Sequence, residues 1–180
     1  LLETVLAGLR PLIEPRTGPI LMVQGYIFVT SPGGVVPFHF DPEHNILMQV
    51  RGSKTFTHVP SGNTRFAPDE AHELFHATGK YTLPWRDDFA DAAQAWTLAP
   101  GDAVYMPVKA PHFVRNGDAP SVSISLTWRS AWSFAEADAR RFNGLLRKIG
   151  LRPVAPRRWP HMPHAKSLGW RILRKLGAVH

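Results

Sequence analysis

His39 and Asp41 stand two apart in VVPFHFD, a stretch whose β-branched and aromatic residues predict a β-strand. Along a strand the side chains of residues i and i+2 leave the same face, so an imidazole and a carboxylate converge on one point. His112, 73 residues later in PVKAPHFVRNG, follows a proline-rich turn, opens another strand-like run and supplies a third ligand. Two imidazoles and one carboxylate on one side of a metal leave the opposite positions open, the donor set of non-haem Fe(II) oxygenases. The competing reading makes His39 an ordinary half-buried barrel histidine. Asp41 in phase with it, and the placement of His112, favour metal binding.

Other polar residues compete for roles. Lys54 in SKTFTH shares its side of a strand with Phe56 and His58, so either an apolar face includes a lysine or all three line a polar cavity. Asn45 either lines that cavity or ends a turn through its tolerance of left-handed geometry. His44, five residues from His39, is expected to point elsewhere. His72 and His76 stand at i and i+4, a spacing that can bind zinc, but no glutamate pattern accompanies them, and they read as surface or packing residues. Trp85 and Phe89 are expected to close the mouth of a barrel.

The elements that must position these groups are mostly strands. Residues 1–14 predict a short amphipathic helix interrupted or capped at Pro11. GYIFVT (25–30) and VVPFHFD follow as strands about an SPGG turn, and ILMQVRG and KTFTHVP as a hairpin through Gly52-Ser53. Residues 61–95 form an insertion with a helix around 69–77. AWTLAPGDAVYMP, HFVRN and SVSISLTWRS complete a set of short antiparallel strands, which predicts a barrel or sandwich of jelly-roll type. In SVSISLTW, Val122, Ile124, Leu126 and Trp128 alternate with Ser121, Ser123, Ser125 and Thr127. The hydroxyl face is expected to point into a polar cavity, the alternative being a solvent-exposed edge strand.

Composition bounds the rest. With 180 residues, 44% of them apolar, the chain can bury a substantial core. The absence of cysteine excludes disulfides, thiolate zinc sites and cysteine nucleophiles, so any metal must take nitrogen and oxygen ligands. No apolar run approaches the roughly 20 residues of a membrane span, and no charged leader opens the chain, so a soluble, cytoplasmic protein is expected. The net charge of +7 is uneven: residues 1–139 carry 10 Lys and Arg against all 14 acids, whereas residues 140–180 carry 11 Lys and Arg and no acid. The expected division is therefore a barrel over 1–139 and a basic helical appendage over 140–180. Phe142, Leu145, Leu146 and Ile149, then Leu168, Ile172, Leu173 and Leu176, recur at helical spacing. The favoured reading is a helix pair packed on the domain with its cations in water; the alternative is contact with nucleic acid, an acidic protein or a membrane surface.

The run PFHFDPEHNILMQVRGSKTF, with LAPGDAVYMPVKAPHFVRNG and SISLTW, resembles the JmjC-type, cupin-like branch of the Fe(II)- and 2-oxoglutarate-dependent oxygenases over roughly residues 25–130. The resemblance implies a double-stranded β-helix with a short N-terminal helix and C-terminal helices. It implies iron on His39, Asp41 and His112, and 2-oxoglutarate on Lys54, Asn45 and Thr127. With dioxygen as co-substrate, such an enzyme hydroxylates a protein side chain or a small molecule, and a homodimer through the C-terminal helices is expected. The chain departs from the family pattern at Val36, where relatives often place a hydroxyl residue, and at Thr127, where they commonly have asparagine. Tyr26 or Tyr105 is expected to stand in for an upstream cofactor-contacting tyrosine. Two other classes compete: a metal-binding cupin that needs no 2-oxoglutarate, such as an isomerase or another dioxygenase, and a regulatory module acting on nucleic acid through its basic tail.

Overall fold

The computed structural model describes residues 2–179. Contacts divide the chain into two compact units. One comprises Val23–Pro68 and Tyr81–Trp128 and contains most of the strands; the other comprises Leu1–Met22, Asp69–Lys80 and Arg129–His180 and contains the helices.

Eight strands occur in chain order: β1 (Ile20–Thr30), β2 (Val35–His39), β3 (His44–Arg51), β4 (Lys54–His58), β5 (Gln94–Leu98), β6 (Ala103–Met106), β7 (His112–Asn116) and β8 (Ser121–Ser130). They form two four-stranded sheets, ordered β1-β8-β3-β6 and β2-β7-β4-β5. Every registered pairing is antiparallel. Consecutive strands therefore alternate between the two sheets, except that β4 and β5 are neighbours in one, which is the double-stranded β-helix, a jelly roll. Leu47 and Met106 from the first sheet meet Phe56, Leu98 and Val114 from the second in one buried cluster, which defines the inner face of each sheet.

That inner face is unusually polar. Asn45, Leu47 and Gln49 pair in register with Thr127, Ser125 and Ser123, so these hydroxyls share the face of Leu47. The Gln49 carboxamide donates to Ser121 Oγ at 2.9 Å and accepts from Ser123 Oγ at 2.8 Å, while Ser125 Oγ donates to Asn45 Oδ1 at 2.6 Å. The hydroxyl face of β8 thus points inward as expected, and its three serine hydroxyls are satisfied by side-chain amides from β3. Leu126 and Trp128, on the opposite face, are also fully buried, so β8 is not an exposed edge strand.

The Gly52-Ser53 turn does not close a hairpin. β3 and β4 lie in different sheets, and the turn hands the chain from one to the other. Gly52 has φ +69°, and a Cβ there would stand 2.6 Å from the Pro120 carbonyl oxygen, so only glycine fits the crossing. Strand periodicity sees two adjacent strands and a turn; it carries no information about which partners they choose.

In the helical unit, α1 (Leu2–Thr17) runs through both Pro11 and Pro15 instead of stopping at Pro11. Contacts beyond the helix hold its last turn: Trp159 Nε1 donates to the Pro15 carbonyl at 2.9 Å, and Glu14 Oε1 accepts from the Ile20 amide at 3.1 Å. α2 (Asp69–Thr78) covers the predicted helix, and α3 (Ala131–Lys148) starts from a capping box between Ser130 and Ser133. α2 and α3 pack together through charge: Arg140 bridges Asp69 at 2.6 Å and Glu136 at 2.9 Å, and Arg147 pairs with Glu70 at 2.8 Å and with Glu73. His76 Nε2 stands 4.0 Å from Glu136 Oε2, and both side chains are buried, as is His72; these histidines pack rather than face water. α4 (His164–Lys175) packs on α3 through Trp170, Ser167 and Gly169, whose backbone abuts the Phe142 ring.

Candidate metal centre

Three segments of the barrel bring His39, Asp41 and His112 together. β2 ends at His39, which pairs in register with His112 at the start of β7. Asp41 lies beyond the strand, contrary to the reading of His39 and Asp41 as strand neighbours. Pro42 explains the stop, because it donates no amide and restricts the residue before it. The bend is fastened from both sides: the Phe40 amide donates to the Tyr81 carbonyl at 3.3 Å, and the Lys109 amide donates to the Asp41 carbonyl at 2.8 Å. Lys109 adopts φ +57°, a rare left-handed geometry for a lysine, inside the turn that delivers His112.

One ligand atom from each of His39, Asp41 and His112 lies within 4.8 Å of the others. The Nε2 atoms of both histidines stand 3.7 Å from Asp41, one from each carboxylate oxygen, too far for hydrogen bonds. Each histidine commits its other nitrogen to backbone: His39 Nδ1–H donates to the Pro37 carbonyl at 2.7 Å and His112 Nδ1–H to the Ala110 carbonyl at 2.8 Å. That tautomer aims both Nε2 lone pairs at Asp41, the outer-shell arrangement typical of metal-binding imidazoles. Burial above all, then neighbouring His39, holds His112 down to about 4, so its imidazole is neutral and ready to donate at neutral pH.

Lys54 lies on the same inner wall. It alternates with Phe56 in β4, and Phe56 stacks on His112 with ring centroids 5.0 Å apart. The lysine is 4% exposed, burial lowers its pKa, and Nζ has no hydrogen-bond or ion-pair partner among the described residues. On the inner face of the first sheet, Thr127 Oγ1 is buried without a hydrogen-bond partner, and Asn45 beside it is committed to Ser125. A buried cation and a buried orphan hydroxyl on walls that flank the histidines fit a small carboxylate ligand, whose oxygens would satisfy both.

The remaining expectations divide. His44 points away as predicted, stacking on Trp128 and meeting Tyr105 Oη at 3.0 Å. Tyr105 pairs with Ile46, one residue out of phase with Asn45, so it faces away from the cavity, and Tyr26 is exposed. Val36 is exposed. Trp85 and Phe89 do not close the barrel mouth. Trp85 packs edge-on against Phe38 and Phe113, which alternate with His39 and His112 and so occupy the outer face of the second sheet. Two site neighbours escaped the sequence reading: Tyr81, edge-on to His39 at 5.7 Å, and Trp96, stacked on His58 at 4.6 Å. Trp96 is in register with Phe56, a phase no single segment reveals; Tyr81 comes from an irregular segment with no periodicity to read.

The model of the cupin-like domain matches residues 19–133, nearly the whole barrel. The chain belongs to the cupin-like domain family. This cupin-like domain is 35% identical over 105 residues to Jumonji C domain-containing protein 5 of Drosophila melanogaster and 32% identical over 105 residues to lysine-specific demethylase 8 of Danio rerio. Each alignment covers 54% of the chain and 26% of the relative, so the chain spans about a quarter of the length of the curated relatives it matches. Among solved structures, a cupin-like protein of Thermotoga maritima is 21% identical with a TM-score of 0.36, covering 61% of this chain and 65% of that one. An RmlC-like cupin of Methanocaldococcus jannaschii is 15% identical with a TM-score of 0.37, covering 59% and 70%. The expectation of a cupin-like jelly roll is met, and the strand order of the two sheets carries it.

Proposed function

We propose that the chain is an Fe(II)- and 2-oxoglutarate-dependent oxygenase that hydroxylates a protein side chain or a small molecule. The observation that carries the reading is the pairing of two features on the inner side of one sheet: three converging metal-type donors, and the buried Lys54 side chain, without a hydrogen-bond or ion-pair partner among the described residues, on the wall that holds His112. A cupin that uses only a metal has no need of the second, which costs stability unless an anion answers it.

In this reading His39, Asp41 and His112 hold iron through Nε2, a carboxylate oxygen and Nε2. Lys54 receives the remote carboxylate of 2-oxoglutarate, and Thr127 and Asn45 offer side-chain oxygens and an amide to its polar atoms. Bound iron and 2-oxoglutarate supply oxidative power from dioxygen, and the rest of the work belongs to the protein. The Pro37 and Ala110 carbonyls keep both imidazoles in the ligating tautomer. Phe56 stacks on the His112 ring and sets an apolar side chain next to Lys54 in the strand. In that buried setting the attraction between ammonium and carboxylate exceeds its value in water. The name of one curated relative, lysine-specific demethylase 8, supports a protein side chain as the first substrate class to test.

The test is an anaerobic titration with Fe(II) and then 2-oxoglutarate, following the visible absorption of a 2-oxo acid chelated to iron. The wild type develops the band, His112→Ala does not, and Lys54→Ala requires far more 2-oxoglutarate. Iron binding without a band at any concentration would sink the 2-oxoglutarate assignment and leave a metal-binding cupin of another kind.

A further inference from the structure

The basic tail has an exposed apolar ridge, and its position on α4 differs from the packing expected from sequence. Leu168 and Ile172 in α4 and Leu176, the capping residue just past its end, stand four residues apart along one side of the helix. They are 60%, 50% and 75% exposed. The helix instead packs inward through Trp170 and Ser167, on the opposite side. Its cations border the ridge. Arg171 reaches Asp138 at 2.8 Å but remains half-exposed, whereas Arg174 and Lys175 are exposed and have no ion pair among the described residues.

We propose that α4 is an interfacial anchor that lays this ridge into an anionic lipid surface while Arg171, Arg174 and Lys175 engage the headgroups. Charge complementarity selects this occupant. α4 carries no acid, and Arg174 and Lys175 beside the ridge have no ion pair among the described residues, so a second copy docked face to face on the ridge would set cations against cations. Nucleic acid would answer the charge but gains nothing from three aliphatic side chains, and a neutral apolar groove would leave the cations idle. An anionic bilayer satisfies both halves of the pattern. The helix lies on the surface rather than through it, since no helix among the described residues is long and apolar enough to cross a membrane. The inference is independent of the metal centre.

The experiment is co-sedimentation of the full chain with phosphatidylcholine vesicles, with and without phosphatidylglycerol, at low and high salt. Binding is expected only with the anionic lipid and is expected to weaken as salt rises. Replacing Arg174 and Lys175 together by Gln lowers affinity about fivefold per charge removed. The Leu168→Ser, Ile172→Ser, Leu176→Ser triple variant, at exposed positions and checked for an unchanged circular dichroism spectrum, is expected to lose most binding at high salt. Absence of binding to anionic vesicles overturns the proposal, as does a triple variant that binds as well as the wild type. A wild-type dimer by light scattering that the triple variant converts to monomer, without vesicle binding, assigns the ridge to a second copy and also overturns it. Tight binding to duplex DNA in place of vesicles, indifferent to the triple substitution, returns the tail to nucleic acid.

Discussion

His39 and His112 are register partners across β2 and β7, with ring centroids 4.2 Å apart. Burial of the imidazole above all, and then the closeness of the second ring, holds His112 down to about 4. Its folded pKa lies below the ordinary value, so between pH 6.5 and about 4 the unfolded chain binds more protons than the native one. The stability of the metal-free protein is therefore full above pH 6.5 and falls as the pH drops through that window. Thermal unfolding across this range checks it, and His112→Asn should flatten the slope. Loading the proposed centre with Fe(II) removes the same protons by competition. At a hundredfold excess over Kd it should stabilise the fold by about 2.7 kcal/mol, and that gain should vanish in His112→Asn.

Lys54 should be a residue whose loss makes the protein more stable and less able to bind. Its side chain is buried, and burial alone lowers its pKa, so its setting disfavours the charged form. A lowered lysine pKa means the charge weighs against folding at neutral pH, and that cost disappears only as pH rises past the folded value. Lys54→Met keeps the stem's volume and removes the charge. The expected outcome is a gain of about 1 kcal/mol in the ligand-free protein, with 2-oxoglutarate affinity lost. Chemical denaturation beside the iron and 2-oxoglutarate titration measures both. A loss of stability in Lys54→Met would show that the ammonium is satisfied by the fold itself.

Gly52 carries the chain from β3 in the first sheet to β4, where Lys54 begins the second. Its φ of +69° and the 2.6 Å approach of the Pro120 carbonyl to a would-be Cβ leave alanine no room. The obstacle is backbone, which cannot swing aside. Gly52→Ala should destabilise by about 2 kcal/mol or more, and the displaced turn should also weaken 2-oxoglutarate binding through Lys54. Gly33, with φ +64° and nothing within 4 Å, is the control: Gly33→Ala should carry only the conformational cost, about 1 kcal/mol.

What was legible in the sequence was what periodicity encodes. Alternation in β8 announced a hydroxyl face, and the structure turns Ser121, Ser123 and Ser125 inward onto Gln49 and Asn45. The phase of Lys54 with Phe56 left two readings open, and the wall proves mixed: Phe56 and Val114 are flanked on the same face by Lys54 with Asn116 and by His58 with His112. What was not legible depended on partners distant in sequence. The crossing at Gly52 looked like a hairpin because a turn's residues report its backbone geometry, not the sheet its strands join. Trp85 looked like a lid, yet the phase of Phe38 against His39 puts its partners on the outer face. The convergence of Asp41 with two histidines survived an incorrect premise: it is held by hydrogen bonds to Tyr81 and Lys109 around Asp41, not by strand alternation.

Thr127 separates the roles of fold and ligand most sharply. Its Oγ1 is buried and has no hydrogen-bond partner, while the neighbouring hydroxyl of Ser125 is satisfied by Asn45. An unsatisfied buried hydroxyl costs about 1–3 kcal/mol, so Thr127→Val, which keeps the shape and removes the oxygen, should leave the ligand-free protein as stable or more stable. Ser125→Ala does the opposite, stranding the Asn45 carbonyl oxygen, and should destabilise by about 1 kcal/mol or more. If Thr127 Oγ1 meets 2-oxoglutarate, Thr127→Val should weaken the oxo acid about tenfold, roughly the worth of one lost hydrogen bond, while Fe(II) affinity stays the same. Thr127→Asn restores a donor at this position and should recover part of the affinity. Calorimetric titration of the iron-loaded variants with 2-oxoglutarate distinguishes these outcomes. Equal oxo-acid affinity in wild type and Thr127→Val would remove Thr127 from the site and leave Lys54 as the anchor.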